Sequence, residues 1–196
     1  MTAYIVRHGR TVSNELLLYC GVTDVGLSDG GREQLFELKK EYDYSVPEGT
    51  DIYTSGMMRA EETLRILLGD VPHTAVPGLK EMNFGDFENK DYNTLKDDPV
   101  FNEWLDDRTS FVCPNGESND QMAVRSVKAF AELTAKNRDF LVVFHGGPIG
   151  AVMNDLFPVR GKIWRDWQPS NGRGYKIYFR DGKAVGFEDF PTVKQK

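Results

Sequence analysis

The sequence predicts an α/β fold, a three-layer sandwich with a mostly parallel central sheet and a loop and helix excursion that covers the functional site. Short apolar runs typical of buried strands alternate with segments of helical periodicity. Two of these runs end in a histidine followed by glycine, in "AYIVRHG" and "FLVVFHGG". Residues 78–117 interrupt the alternation with a segment rich in Asp, Asn, Gly and Pro, which is typical of an excursion over a scaffold.

The first half of the chain contains two predicted strands and two predicted helices. Residues 2–7 form an apolar run that is typical of a buried strand. "LSDGGREQLFELKKEY" predicts a helix capped near Ser28. Residues 51–55 predict a second strand, and the helix after it is expected to end at Gly69. The expected buried positions are Leu35 and Leu38 in the first helix and Ala60, Leu64, Leu67 and Leu68 in the second.

The alternation resumes after the excursion. Ser118 followed by Gln121 matches a capping box, which predicts a helix start. The buried stripe expected on that helix consists of Met122, Val124, Val127, Phe130, Ala131 and Leu133. "DFLVVFHG" predicts a fully apolar strand that leads through glycines into a short helix. Near the end, "YKIYF" and "AVGFEDF" predict a hairpin that turns at Asp181 and Gly182.

Length and composition predict one folded domain over residues 1–196, with residues 78–117 as a lid whose aromatic side chains pack together. The formal net charge of -6 argues against a broad nucleic-acid or anionic-membrane surface, since those partners need clustered cations. Neither a signal peptide nor a membrane-spanning apolar stretch is recognisable. Cys20 and Cys113 make no disulfide framework, which favours a cytoplasmic protein with free thiols. Nothing in the sequence indicates the oligomeric state.

Two of the three histidines follow matching strand ends. His8 comes after Arg7 at the end of the first strand, and His145 precedes Gly146 at the end of the late strand. Either histidine alone is explained equally well as an ordinary core or surface histidine or as a functional residue. Together they indicate one crevice, because ligands gather beyond the carboxyl ends of parallel strands and glycines let backbone amides approach a ligand. His73 lacks this context and is expected to be structural or exposed.

Arg59 lies in the first turn of the helix that follows the strand at residues 51–55. A helix N-terminus favours an anion, and arginine adds a bidentate donor for phosphate oxygens. Alone, Arg59 would be read as a surface arginine. Its position after a third strand makes it a candidate for the crevice of His8 and His145.

Six motifs occur in order: "RHG" with Thr11 and Asn14, then "GVTDVGLSDGG", "SGMMRAEET", "EMNFGDFE", "PNGES" and "FHGGPIG". With these motifs, residues 2–155 resemble the histidine phosphatase superfamily, also called the phosphoglycerate mutase-like family. The resemblance implies metal-independent hydrolysis of a small phosphomonoester through a phosphohistidine intermediate. The size and the second motif are similar to those of small bacterial members, including α-ribazole phosphatases and broad-specificity sugar phosphatases. "PNGES", with Arg125, is expected to organise its loop rather than to perform chemistry.

The resemblance also implies roles for individual residues. His8 would be the nucleophile, and Arg7, Arg59 and His145 would stabilise the charge on the phosphoryl oxygens. Glu81, in "LKEMNFGDFE", matches the acid that protonates the leaving oxygen and then activates water.

Further contacts to the phosphate or its ester oxygen are implied for Asn14, for the backbone of Gly21 and for Thr11, and Gly146 completes the expected substrate-binding set. Arg10 replaces the glutamate that many phosphatases of the family carry after "RHG". It either favours a second anionic group on the substrate or points to solvent. No cofactor or metal site is expected, because no His/Cys cluster has ligand spacing and the cations already neutralise the phosphate.

Several departures favour a phosphatase over a phosphoglycerate mutase. Cys20 stands where mutases carry a hydroxyl, and Phe84 and Tyr92 stand where they tend to show a tyrosine and a lysine. The adjacent arginine pair of mutases is absent, and only Arg108 lies in that region. Mutase-type phosphoryl transfer, a phosphoprotein substrate and a non-catalytic phospho-ligand binding protein stay open as alternatives.

Overall fold

A computed structural model describes residues 1–194 and contains a large sheet flanked by helices. The strands are β1 (Thr2–Arg7), β2 (Tyr42–Asp43), β3 (Asp51–Thr54), β4 (Thr74–Ala75), β5 (Phe140–Phe144), β6 (Gly174–Arg180), β7 (Lys183–Phe190) and β8 (Thr192–Val193). The α-helices are α1 (Val12–Glu15), α2 (Asp29–Glu41), α3 (Met58–Leu68), α4 (Tyr92–Leu95), α5 (Pro99–Asp106), α6 (Asn119–Thr134) and α7 (Gly146–Leu156). Short 3-10 helices occupy Pro77–Leu79, Gly85–Phe87 and Trp164–Trp167. No helix within residues 1–194 is long and apolar enough to cross a bilayer.

The central sheet has six strands in the order β4-β3-β5-β1-β6-β7. The four strands from β4 to β1 run parallel, whereas β6 and β7 are antiparallel to their neighbours. Val142 in β5 lies opposite both Ile5 in β1 and Tyr53 in β3, so the carboxyl ends of these three strands are level. The predicted mostly parallel α/β sheet is therefore confirmed.

Both faces of the sheet are buried, which makes the fold a three-layer sandwich. In β1, Ala3 and Ile5 join the core on one face, and Tyr4 and Val6 join the core on the other. The first core includes buried residues of α6 and α7, and the second includes buried residues of α2 and α3. This alternation follows from the two-residue period of a strand. Strands buried on both faces explain the apolar runs in the sequence.

The predicted helix boundaries agree closely with the structure. α2 begins after Ser28, whose hydroxyl accepts the Gly31 N–H at 2.9 Å. It ends one residue before Tyr42, which instead pairs in β2. α3 ends at Gly69, whose φ of 85° is a conformation that favours glycine. α6 begins with the predicted capping box of Ser118 and Gln121.

The buried stripe predicted for α6 is wrong at Val124 and Ala131. Both are exposed, Val124 by 71%. A helix turns by about 100° per residue, so both positions lie on the side opposite Met122. The buried face instead includes Ser126 and Ala129, a hydroxyl and a small residue that hydrophobicity alone did not select.

The predicted hairpin near the C-terminus is confirmed. β6 and β7 are joined by Asp181 and Gly182, with φ values of 50° and 73°. Two consecutive residues of positive φ are typical of a type I′ turn, in which Asp-Gly is favoured.

The excursion at residues 78–117 carries its own small core against the sandwich. The buried members of this core are Met82, Phe87, Leu95, Phe101, Trp104, Cys113, Met122 and Ala151, of which the last two belong to α6 and α7. Within it, Phe101 lies 5.3 Å from Phe87 and 5.6 Å from Trp104, measured between ring centroids. The excursion is thus a packed element fixed to two helices of the sandwich.

Candidate active site

Three neighbouring strands bring the candidate residues to one edge of the sheet. His8 follows Arg7 at the end of β1, and His145 follows the end of β5. Arg59 lies in the first turn of α3, shortly after β3. Because these strands are parallel and adjacent, their carboxyl ends meet, and the ring centroids of His8 and His145 are 5.0 Å apart.

A cavity of about 260 Å³ opens at this edge, between the sheet and the excursion. Of the residues that sequence analysis selects, its lining contains Arg7, His8, Thr11, Asn14, Arg59 and Glu81. The remaining lining residues are Leu18, Tyr19, Cys20, Met82, Phe84, Trp104, Arg108, Asn119, Met122, Gly147, Trp164, Arg165 and Gln168. His145 lies behind this lining, fully buried and bonded to Arg59.

The hydrogen bond of His8 determines its tautomer. Its Nδ1 lies 2.6 Å from the carbonyl oxygen of Gly9. A carbonyl oxygen only accepts, so Nδ1 carries the proton and donates it. The neutral ring therefore keeps an unprotonated Nε2, which is the nitrogen available as a nucleophile.

Burial and nearby cations keep His8 uncharged. Its pKa is lowered well below 6.5, first by desolvation and then by the positive charges of Arg59 and Arg7. Both effects disfavour the imidazolium. The His8 ring therefore remains neutral at neutral and mildly acidic pH.

His145 is neutral for the same reasons, with the opposite tautomer. Burial, followed by the charge of Arg59, lowers its pKa well below 6.5. Its Nδ1 accepts the Arg59 Nε–H at 3.2 Å, so the ring proton is on Nε2 and is donated to the Ser55 hydroxyl at 2.7 Å. Both ring nitrogens are thus engaged by protein, and His145 orients Arg59 instead of presenting a free N–H to the cavity.

The Arg59 guanidinium is held on three sides. Besides His145, it donates through Nη1 to the Thr23 carbonyl at 3.0 Å and through Nη2 to the Gly21 carbonyl at 2.6 Å. An arginine has five N–H donors, so two remain for a ligand. Arg59 is nearly inaccessible to solvent and lines the cavity as a fixed cation.

Arg7 carries a buried donor without a partner. Its Nη1 donates to the Pro169 carbonyl at 2.9 Å, while its buried Nε has no hydrogen-bond acceptor within residues 1–194. Burial lowers the pKa of Arg7. The negative charge of Glu81 raises this pKa, and the positive charge of Arg59 lowers it. Arg7 and Arg59 thus place two cations on the cavity lining, and a bound anion would stabilise this arrangement.

Glu81 lies on the excursion side of the cavity and is fixed by backbone donors. Its Oε1 accepts the Met82 N–H at 3.0 Å, and its Oε2 accepts the Gly147 N–H at 3.2 Å. Arg125 holds the same loop by donating to the carbonyls of Glu81 and Lys80 at 2.8 and 2.6 Å. The expected organising role of "PNGES" agrees with this geometry, since its Glu117 pairs with Arg125.

Asn14 and Thr11 reach the cavity as a capping pair at the start of α1. The Asn14 Oδ1 accepts the Thr11 N–H at 3.1 Å and the Thr11 hydroxyl at 3.2 Å. Both acceptor bonds use the amide oxygen, so the Asn14 amide nitrogen is the atom that can donate to a ligand.

Three other expected substrate-binding residues lie outside the cavity lining. The Gly21 N–H, expected to contact phosphate, is instead donated to both oxygens of Glu88 at 3.0 and 3.1 Å. Arg10 is exposed and borders an adjoining cleft that shares Arg7 and Asn14 with the cavity. Gly146 lies against the Arg7 guanidinium, where a Cβ would approach the arginine carbon to 3.1 Å. Its lack of a side chain lets Arg7 pass close to α7.

Sequence reasoning did not assign Glu88 a function, although it organises the Arg59 site. Its carboxylate accepts the N–H groups of Gly21, Val22 and Thr23, the Thr23 hydroxyl, and the Phe84 N–H, at distances from 2.6 to 3.3 Å. These bonds turn the carbonyls of Gly21 and Thr23 towards Arg59. Such a role depends on tertiary contacts that no motif spacing reveals.

The segment after α7 supplies cavity residues that sequence analysis also missed. Trp164, Arg165 and Gln168 lie in and next to a 3-10 helix and line the cavity mouth. Gly150 in α7 makes this possible, because a side chain there would overlap the Trp164 carbonyl.

Within the described chain, no cluster of three or more His, Cys, Asp or Glu side chains has the geometry of a metal site. His73 is remote from the cavity and forms a surface ion pair with Glu61 at 2.6 Å.

Comparisons with known proteins agree with the fold. An adenosylcobalamin/alpha-ribazole phosphatase of Escherichia coli K12 is 28% identical over 80% of this chain and 79% of its own. A 2,3-bisphosphoglycerate-dependent phosphoglycerate mutase of Gloeobacter violaceus is 31% identical over 78% of this chain and 74% of its own. The crystal structure of the alpha-ribazole phosphatase from Shigella flexneri superposes with a TM-score of 0.82 at 26% identity, covering 94% of each chain. The family model of the histidine phosphatase superfamily, branch 1, matches residues 3–186. The chain belongs to the histidine phosphatase superfamily.

Proposed function

We propose that the protein hydrolyses small phosphomonoesters through a phosphohistidine formed on His8. The observation that carries this proposal is the unprotonated Nε2 of His8, next to two arginines that keep donors free for an anion. A neutral imidazole with a fixed tautomer is a competent nucleophile, and fixed cations supply the charge stabilisation that phosphoryl transfer requires.

In the first step, Nε2 of His8 attacks phosphorus and the bond from phosphorus to the ester oxygen breaks. Glu81 donates a proton to the leaving oxygen, so the product alcohol leaves uncharged. In the second step, the Glu81 carboxylate accepts a proton from water, and the water oxygen attacks phosphorus. The bond from phosphorus to Nε2 breaks, inorganic phosphate is released and His8 returns to its neutral state.

Arg7 and Arg59 supply the electrostatic stabilisation in both steps. The buried Nε of Arg7 and the two remaining N–H groups of Arg59 donate to the equatorial oxygens of the phosphoryl group. His145 acts through Arg59, because its Nδ1 accepts the Arg59 Nε–H. Asn14 contributes its amide nitrogen near the ester oxygen, and Thr11 fixes the Asn14 side chain.

We propose a small phosphorylated metabolite of the sugar phosphate or α-ribazole phosphate type as the substrate. The names of the E. coli and S. flexneri relatives support a phosphomonoester of this size. Residues 78–117 serve as the lid of a single domain, since they wall one side of the cavity and pack on α6 and α7. A cytoplasmic location and the absence of nucleic-acid or membrane partners stay predictions from composition. Residues 195 and 196 lie outside the described part of that predicted domain.

We expect the wild-type protein to release phosphate from phosphomonoesters with EDTA present, since arginines neutralise the phosphate. A suitable panel is p-nitrophenyl phosphate, sugar phosphates, α-ribazole 5′-phosphate, 3-phosphoglycerate and a phosphopeptide. His8→Ala should lose turnover by at least about a thousandfold, because the nucleophile is removed. His73→Ala is the matched control and should keep wild-type turnover. Turnover that requires a metal, or that survives His8→Ala, would contradict the proposal.

The same panel separates the alternatives. Conversion of 3-phosphoglycerate into its positional isomer without phosphate release would identify a mutase, as in the G. violaceus relative. Binding of the esters without any turnover would identify a phospho-ligand binding protein.

We expect the three histidines to titrate differently. Burial and nearby arginines lower the pKa values of His8 and His145 well below 6.5, whereas hydrogen bonds to Val71 and Glu61 raise that of His73 above 6.5. At pH 6.5, His73 should be mostly protonated and the other two neutral. NMR titration of the imidazole signals measures this, with His73→Ala used for assignment. A His8 signal that titrates at or above pH 6.5 would contradict the neutral-nucleophile mechanism.

We expect Glu88→Gln to lower kcat about 10- to 100-fold, the range seen when groups that orient a functional side chain are removed. The amide cannot accept all the N–H groups that the carboxylate holds, so the Gly21 and Thr23 carbonyls would no longer fix Arg59. Glu103→Gln, on the exposed side of α5, is the matched control. Inhibition by inorganic phosphate should weaken in parallel with kcat for Glu88→Gln, because Arg59 binds that anion. An unchanged inhibition constant and kcat would show that Glu88 does not position Arg59.

A further inference from the structure

The mouth of the cavity carries two arginines without a carboxylate partner. Arg108 comes from the excursion and Arg165 from the 3-10 helix after α7, and both line the cavity. Within residues 1–194 neither guanidinium takes part in an ion pair. Each lies against an indole ring instead, Arg108 at 5.1 Å from the centroid of Trp104 and Arg165 at 5.8 Å from that of Trp164.

Hydrogen bonds hold the backbone that carries each of these arginines. Asn119, buried at the start of α6, donates its side-chain amide to the Arg108 carbonyl. The turn that holds Arg165 is closed by the Asp166 carboxylate, which accepts the Ile163 N–H at 2.8 Å. Two anchored segments from distant parts of the sequence thus place their cations at one opening.

The charge of the lining exceeds what one phosphate neutralises. Four arginines line the cavity against one carboxylate, Glu81, an excess of three positive charges in a chain of net charge -6. His8 adds none, because its pKa is lowered by burial. A phosphomonoester dianion beside Arg7 and Arg59 would leave positive charge at the mouth uncompensated.

The outer part of the cavity also holds polar groups suited to a substrate. Trp104 lines the cavity, and its buried Nε1 has no acceptor within residues 1–194. The half-buried Gln168 adds an amide at the same opening.

We propose that Arg108 and Arg165 form a subsite for a second anionic group, a carboxylate or a phosphate, at the end of the substrate remote from the reacting phosphate. Both anions fit the fork of arginine donors. The proposal rests on the proposed hydrolysis and predicts that, among small phosphomonoesters, those with a second anionic group are preferred. Arg10 is not part of this subsite, because it does not line the cavity.

Matched ester pairs test the subsite. Glycerol 3-phosphate and 3-phosphoglycerate differ only in a hydroxymethyl group against a carboxylate, and sorbitol 6-phosphate and 6-phosphogluconate repeat the difference on a longer chain. Fructose 6-phosphate against fructose 1,6-bisphosphate tests phosphate as the second group. We expect at least one doubly anionic member to have a kcat/KM about tenfold or more above its partner, and the ratio to fall at high salt.

Variants of Arg108 and Arg165 test whether these two residues cause the preference for doubly anionic esters. Arg108→Ala and Arg165→Ala should each lower kcat/KM for the preferred ester about tenfold, mainly through KM, and leave its singly anionic partner within about twofold. Arg180→Ala removes an exposed arginine at the far end of β6 and is the charge-matched control. Equal kcat/KM within every pair, or equal losses for both members of the preferred pair, would overturn the subsite.

Binding measurements test the subsite independently of the hydrolysis on which the proposal rests. Calorimetry with His8→Ala, which is not expected to turn the esters over, measures the preference without catalysis. Tighter binding of the doubly anionic members, lost in the double variants with Arg108→Ala or Arg165→Ala, supports the subsite even if the wild type hydrolyses none of them. Equal affinities within all three pairs would overturn it even if the wild type is an active phosphatase.

Discussion

The proposed chemistry depends on the hydrogen bond from His8 Nδ1 to the Gly9 carbonyl. That bond places the single proton of a neutral imidazole on one nitrogen and leaves the other free. Gly9 is held in turn by Thr63, whose hydroxyl accepts the Gly9 N–H at 2.8 Å and donates to the Arg59 carbonyl at 2.6 Å. The loop that carries His8, the proposed nucleophile, and the helix that carries Arg59 are therefore fixed to each other. A side chain at Gly9 would press against Leu35, so the loop depends on glycine.

The site contains two kinds of polar side chain: those that hydrogen-bond to other protein groups and fix the geometry, and those left available to a ligand. Glu88 fixes the backbone that holds Arg59, and Arg125 with Glu117 fixes the backbone that carries Glu81. These networks satisfy their own donors and acceptors, which is the condition under which buried polar networks stabilise a unique geometry. Arg7 lines the cavity, and its buried Nε has no acceptor within residues 1–194. Preorganised donors of this kind favour the charge distribution of a phosphoryl transition state with little reorganisation.

The sequence predicts which residues meet at the edge of the sheet more completely than it predicts which residues line the cavity. Strand runs ending in "RHG" and "HGG" indicate one crevice because parallel strands share a carboxyl edge, and the structure places His8 and His145 there. The buried stripe predicted for α6 is wrong at Val124, because the angular position of this hydrophobic residue on the helix faces away from the core. The engagement of the Gly21 N–H by Glu88 and the position of Arg165 at the mouth arise from contacts between distant segments. Local patterns carry no signal for such contacts.

The central claim is that Nε2 of His8 carries the phosphoryl group, and the isomer of the trapped phosphoenzyme tests it most directly. Rapid quenching of wild-type protein with substrate under alkaline conditions, followed by peptide mass spectrometry and ³¹P NMR, identifies both the residue and the ring nitrogen. The Nδ1–H bond to Gly9 predicts phosphate on Nε2 of His8 alone. Phosphate on Nδ1 of His8 or on His145 would contradict the account. So would steady turnover in which no phosphohistidine forms.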